Sequence, residues 1–185
     1  MKKIKLIGDS TTKKMPIELI GGENDVVVNN GVENIGISTY QNCIWPKIKE
    51  NDSDIIILLI GLNNIIDPNC DKDELCSLDY IQIKIKTLIN EILKYNPNII
   101  VESLYPTRNN SINQAIQYIN EVISEFCYRR DIDYLDIYDL LTDTEGLLKN
   151  DYTDDGIYPN YKGYILIANQ INDYILMLED DYFKK

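Results

Sequence analysis

The chain has 185 residues, 44% of them hydrophobic and 26% charged, the size and make-up of one globular domain, residues 1–185, able to bury its own core. A formal net charge of −12 with no basic stripe disfavours nucleic acid and anionic membrane as partners. With no histidine and no CxxC spacing among Cys43, Cys70, Cys76 and Cys127, the usual zinc ligand sets cannot be assembled, so neither metal nor cofactor is expected. Reduced thiols in a cytoplasmic protein are the plain reading, and Cys70 and Cys76 would pair only in an oxidising compartment.

The segment from Met1 to Gly8 turns apolar too briefly for a signal peptide or a membrane span and reads as a first strand, Lys3 to Ile7. Val26–Asn29, Ile55–Ile60, Asn98–Ser103 and Ile132–Ile137 follow as further strands, several of them almost continuously apolar, which suits a parallel sheet covered on both faces. Helical spacing marks Tyr80–Tyr95 and Ser111–Arg129, and a last helix is expected from about Tyr161 to Leu178, ending in the solvated Glu179-Asp180-Asp181. This alternation predicts a three-layer α/β/α fold with a doubly wound, flavodoxin-like parallel sheet in the order 2-1-3-4-5 and its site at the carboxyl ends of the strands. Trp45 is expected to pack in the core and Tyr105 to face the cleft.

Three glycine-bearing loops fall on that rim. Gly8-Asp9-Ser10 follows the first strand, Asn29-Asn30-Gly31 through Gly36 the second, and Gly61-Leu62-Asn63-Asn64 the third; Asp155-Gly156-Ile157-Tyr158-Pro159-Asn160 precedes the last helix. These blocks, in this order, resemble those of the SGNH (GDSL-like) hydrolases. The resemblance implies an esterase or acyl transferase acting on a small-molecule or carbohydrate acyl ester. It implies Ser10 as nucleophile and an oxyanion site built from Ser10, Asn63 and a glycine of the second block, taken as Gly36, with Gly31 and Asn34 as other alignments. Asn64 stands where the family has aspartate.

The chemistry also follows from the residues. A serine opening a helix just past a strand meets backbone N–H groups and the positive helix end, which favour a developing oxyanion. The plainer use of Ser10 or Thr11 is to cap that helix. The family's general base is a histidine three residues after the aspartate, here Asp155, but this position holds Tyr158. A phenol is only about 0.1% ionised at pH 7, and basicity near neutrality would take a pKa shift worth about 4 kcal/mol. Three devices remain for an active protein: Asp155 working through water, Tyr158 donating a hydrogen bond to substrate, or Lys13 serving Ser10 at Ser-x-x-Lys spacing. Two functions therefore stand side by side, weak acyl-ester hydrolysis with an incomplete triad, or binding of an acylated or carbohydrate ligand without turnover. The oligomeric state is left open.

Overall fold

The protein structure, a computed structural model, describes residues 1–50, 52–71 and 76–182. Five strands, β1 (Lys3–Gly8), β2 (Val26–Asn29), β3 (Ile55–Leu59), β4 (Ile99–Glu102) and β5 (Asp133–Leu135), form one parallel sheet in the order β2-β1-β3-β4-β5. That is the expected flavodoxin-like order. The helices are α1 (Ser10–Lys13), α2 (Ile37–Lys49), α3 (Leu62–Ile66), α4 (Leu78–Leu93), α5 (Asn110–Tyr128), α6 (Tyr138–Leu141) and α7 (Tyr161–Tyr182). The last helix runs past its expected end at Leu178; the side chains of Glu179, Asp180 and Asp181 lie outside the described residues.

The continuous apolarity of the central strands has a direct cause. Alternate residues of a strand point to opposite faces. Ile57 and Leu59 of β3, with Leu6, line one small cavity together with Ile171 of α7, whereas Leu58 and Ile60, with Val101, line another with Ile85 of α4 and Ile119 and Ile123 of α5. Both faces are therefore covered, and burying each such side chain stabilises the fold by about 2 kcal/mol. In α4 the residues Ile81, Ile85, Leu88, Ile89 and Ile92 are all buried, the stripe expected from their spacing, and Ser77 caps the helix by accepting from Tyr80 N. Trp45 is only half-buried; its ring meets the Tyr95 ring edge-on, 5.6 Å between centroids, at the margin of the core.

The register decides where the site falls. Gly8 lies beside Leu59 and Leu6 beside Asn29, so the loops after β1, β2 and β3 emerge next to one another on the carboxyl rim. Helix α1 then turns back so tightly that a Cβ on Gly8 would lie 1.9 Å from Leu59 O and 2.1 Å from Thr12 Oγ1. The Thr12 hydroxyl donates to that same carbonyl at 3.0 Å. We predict that Gly8→Ala destabilises the protein by about 3 kcal/mol or more, since backbone must move to admit the methyl group. Urea denaturation with a matched slope checks it; a midpoint equal to wild type would refute the close approach.

Candidate active site

Asp9 organises the site before Ser10 enters it. It is the N-cap of α1, accepting from Thr11 N at 3.1 Å through one carboxylate oxygen, and its other oxygen accepts from Gly61 N at 3.0 Å and Asn63 N at 3.4 Å. One buried carboxylate thus joins the loop after β1 to the loop after β3. Burial pushes its pKa up, and the amides of Gly61, Thr11 and Asn63 pull against that rise. Because Asp9 does the capping, Ser10 Oγ is not used for it.

Ser10 is 1% exposed. Its Oγ accepts from Asn34 N at 2.8 Å and from Asn63 Nδ2 at 3.1 Å. The same Asn63 nitrogen donates to Ile35 O at 3.0 Å, and Asn63 Oδ1 accepts from the Tyr158 hydroxyl at 3.2 Å. These partners fix which end of the amide faces Ser10. The Asn63 amide thus stands between Ser10 and Tyr158, its Nδ2 on the serine Oγ and its Oδ1 on the phenol hydroxyl. Burial raises the Tyr158 pKa above its ordinary value; the nearby Ser10 hydroxyl opposes this, and the charges of Asp9, Asp155 and Glu33 add to it.

The structure therefore brings Ser10, Asn63 and Tyr158 together but not Gly36. The backbone amide on Ser10 Oγ is that of Asn34, which takes a positive φ of 53°, a conformation asparagine tolerates better than most residues. Gly36 instead is the N-cap of α2, where a Cβ would lie 2.4 Å from an oxygen of Asp71. Gly31 packs on the backbone of Lys13. Of the three alignments of the second block, it is the Asn34 amide, and not that of Gly31 or Gly36, that is hydrogen-bonded to Ser10 Oγ.

Asp155 lies on the same loop as Tyr158, but its Oδ1 accepts from the backbone N–H groups of Ile157 at 2.8 Å and Tyr158 at 2.9 Å. It shapes the loop. Burial raises its pKa, yet those two amides, with Thr153 and the charge of Lys14, outweigh burial and leave it below the ordinary value. Lys13 is exposed, so the Ser-x-x-Lys pair does not form; Lys14 reaches the site instead, its Nζ 5.1 Å from the centre of the Tyr158 ring.

Asp71 was not singled out from sequence. It is buried and accepts from Ser38 N, Thr39 N, the Tyr80 hydroxyl and Asn64 Nδ2 at 2.9 Å. Burial raises its pKa, but these donors outweigh it and hold the group ionised below its ordinary value. Asn64 also accepts from Ile37 N and donates to Cys76 Sγ at 3.1 Å. Asparagine in place of the family aspartate is explained here, since a second carboxylate would face Asp71 at hydrogen-bond distance. Burial, with Cys76 nearby, pushes the Cys70 thiol up to about 12.

Tyr105 does not face the cleft either. It is 1% exposed, and its hydroxyl donates to the buried Glu102 carboxyl at the end of β4.

A doubly wound sheet whose first loop presents a serine to an asparagine amide and a loop N–H defines the serine acyl-hydrolase class of site. The sequence matches the GDSL-like Lipase/Acylhydrolase family over residues 6–166, and the chain belongs to that family. Among solved structures it resembles a GDSL-like lipase from Bacteroides thetaiotaomicron, with 17% identity and a TM-score of 0.80 over 96% of this chain and 89% of that one. It also resembles a lipase/acylhydrolase from Enterococcus faecalis, at 19% identity and TM-score 0.75 over 95% of each chain. A catalytic mutant of an acetylxylan esterase from Geobacillus stearothermophilus is 16% identical, with TM-score 0.71 over 91% of each chain. No curated protein gives a significant sequence match. Among the described residues no helix is long and apolar enough to cross a membrane, and no group of three or more His, Cys, Asp or Glu side chains could hold a metal.

Burial pushes the Glu102 pKa from 4.5 to about 7, tempered by the Tyr105 bond. A folded-state value above the unfolded one gives stability that is complete below about pH 4.5 and is lost as pH rises through about 7. Glu102→Gln keeps an acceptor for Tyr105 without the charge. We predict equal stability of the two proteins near pH 4 and an advantage of up to about 3 kcal/mol for the variant above pH 7. Thermal melts from pH 4 to 8 check this; a constant difference across the range would contradict it.

Proposed function

We propose that this protein is a slow hydrolase of small O-acyl esters, with Ser10 as nucleophile and Tyr158 acting as its base in the phenolate form. The observation that carries the reading is the Asn63 amide, which donates to Ser10 Oγ at 3.1 Å and accepts from the Tyr158 hydroxyl at 3.2 Å, so that an acid–base group stands beside the serine hydroxyl. In the reaction the Ser10 O–H bond breaks and its proton passes to the phenolate as Oγ bonds to the acyl carbon. The carbonyl electron pair becomes an oxyanion, which accepts from Asn34 N and Asn63 Nδ2 in place of Ser10 Oγ. Collapse expels the alcohol oxygen, which takes the proton back from Tyr158. Water then repeats the sequence on the acyl-enzyme, releasing the acid and restoring Ser10. Asp155 holds the Tyr158 backbone and transfers no proton. Acetylated carbohydrate is a fitting substrate class, supported by the acetylxylan esterase among the structural relatives.

The rate depends on pH in a defined direction. The Tyr158 pKa lies above 10, so the phenolate fraction grows tenfold per pH unit through the neutral and mildly alkaline range. Ser10-dependent hydrolysis of p-nitrophenyl acetate, after subtraction of Ser10→Ala, is expected to rise tenfold per unit from pH 7 to 9. Tyr158→Phe should abolish that slope. A bell or plateau centred near pH 7 would show another base at work.

Replacing Tyr158 by histidine supplies a base that is largely neutral at pH 7. Tyr158→His is expected to raise neutral-pH turnover about tenfold, well short of a full triad, because Asp155 is committed to backbone amides. A folded variant that stays at background would oppose the reading.

The second reading, binding of an acylated or carbohydrate ligand without turnover, is favoured by Ser10 being 1% exposed with Oγ already engaged. Equal rates of wild type and Ser10→Ala at every pH would select it.

A further inference from the structure

We propose that Lys14 is a positioning residue for Tyr158: its ammonium lies against the phenol ring and stabilises the phenolate that Ser10 needs. The inference deepens the acyl-hydrolase reading and rests on it. Helix α1 ends at Lys13, and Lys14 follows as its C-cap, which turns Lys13 outward and carries Lys14 over the loop after β2 and onto Tyr158. Its Nζ lies 5.1 Å from the Tyr158 ring centre and 3.9 Å from Glu33 Oε1.

The charge balance around Tyr158 shows why a cation matters. Asp9 below α1, Glu33 on the loop after β2 and Asp155 on its own loop each oppose ionisation of the phenol, and the neutral Tyr164 hydroxyl of α7 lies nearby. Arg108 packs under Gly156 but pairs with Asp143 at 2.9 Å and with Leu148 O. Lys14 is the cation in contact with the ring face, where a cation is attracted by the ring's negative charge. When the ring becomes phenolate that attraction grows from a quadrupole to a full charge. The proton transfer remains one from Ser10 to Tyr158 alone.

Two measurements separate the positioning role from the esterase reading. The first is titration of Tyr158 by NMR of protein carrying ¹³Cζ-tyrosine, its signal assigned by loss in Tyr158→Phe. Lys14→Met should move that titration upward by about half a unit to one unit, Lys14→Arg should restore most of it, and Glu33→Gln should move it downward. The second is turnover of p-nitrophenyl acetate: Lys14→Met should lower kcat three- to tenfold at pH 8 with KM unchanged, and the same change made in Tyr158→His should cost less than twofold. An unmoved Tyr158 titration in folded Lys14→Met, or an equal loss in the Tyr158→His background, would overturn the proposal. Absence of Ser10-dependent turnover in wild type would refute the esterase reading instead, while the NMR titration would still decide whether Lys14 governs Tyr158.

Discussion

The site rests on one buried carboxylate. Asp9 caps α1 and, through its second oxygen, holds the amides of Gly61 and Asn63. Without it, the loop after β1 and the loop after β3 would be neighbours by register only, and the distance from Asn63 Nδ2 to Ser10 Oγ would be free to vary. A carboxylate suits the task because it accepts on both oxygens at once and needs no donor of its own. The neighbouring constraints are arranged in the same way: the Tyr40 hydroxyl accepts from Gly8 N and donates to Asn30 O, tying the end of β1 to the loop after β2.

What could be read beforehand was the part set by local pattern. The near-continuous apolarity of Ile55–Ile60 announces a strand covered on both faces, and α4 and α7 and the long-range contacts deliver that cover. The serine and the asparagine of the site were also legible, because each follows a strand end at a glycine-bearing turn. Asn34 was harder, since the resemblance calls for a glycine in the second block and so points to Gly36, whose lack of a side chain serves Asp71 instead. Asp71 itself had no local mark: its value lies in reaching Ser38, Thr39 and Asn64 across the fold. The lysine spacing alone did not decide which side chain reaches the site: Ser10 and Lys13 share α1, yet Lys13 is exposed and it is Lys14, the C-cap, whose Nζ lies over the Tyr158 ring.

A tyrosine at position 158 bonds differently from an imidazole. An imidazole has two nitrogens facing opposite ways, one for the serine and one for an orienting carboxylate. The Tyr158 phenol meets the Asn63 amide through its one oxygen and offers Asp155 nothing to hold, and Asp155 spends its lone pairs on the loop.

The Tyr164 hydroxyl of α7 donates to Thr11 O at 2.8 Å, a bond spanning 153 residues of chain. It fastens the helix that follows the Tyr158 loop to the short helix that begins with Ser10. During synthesis the five strands and the helices between them can emerge and pair while this partner is still unmade. The carboxyl rim therefore stays open until the start of α7 has left the ribosome, and the serine is enclosed only by a segment translated after all five strands.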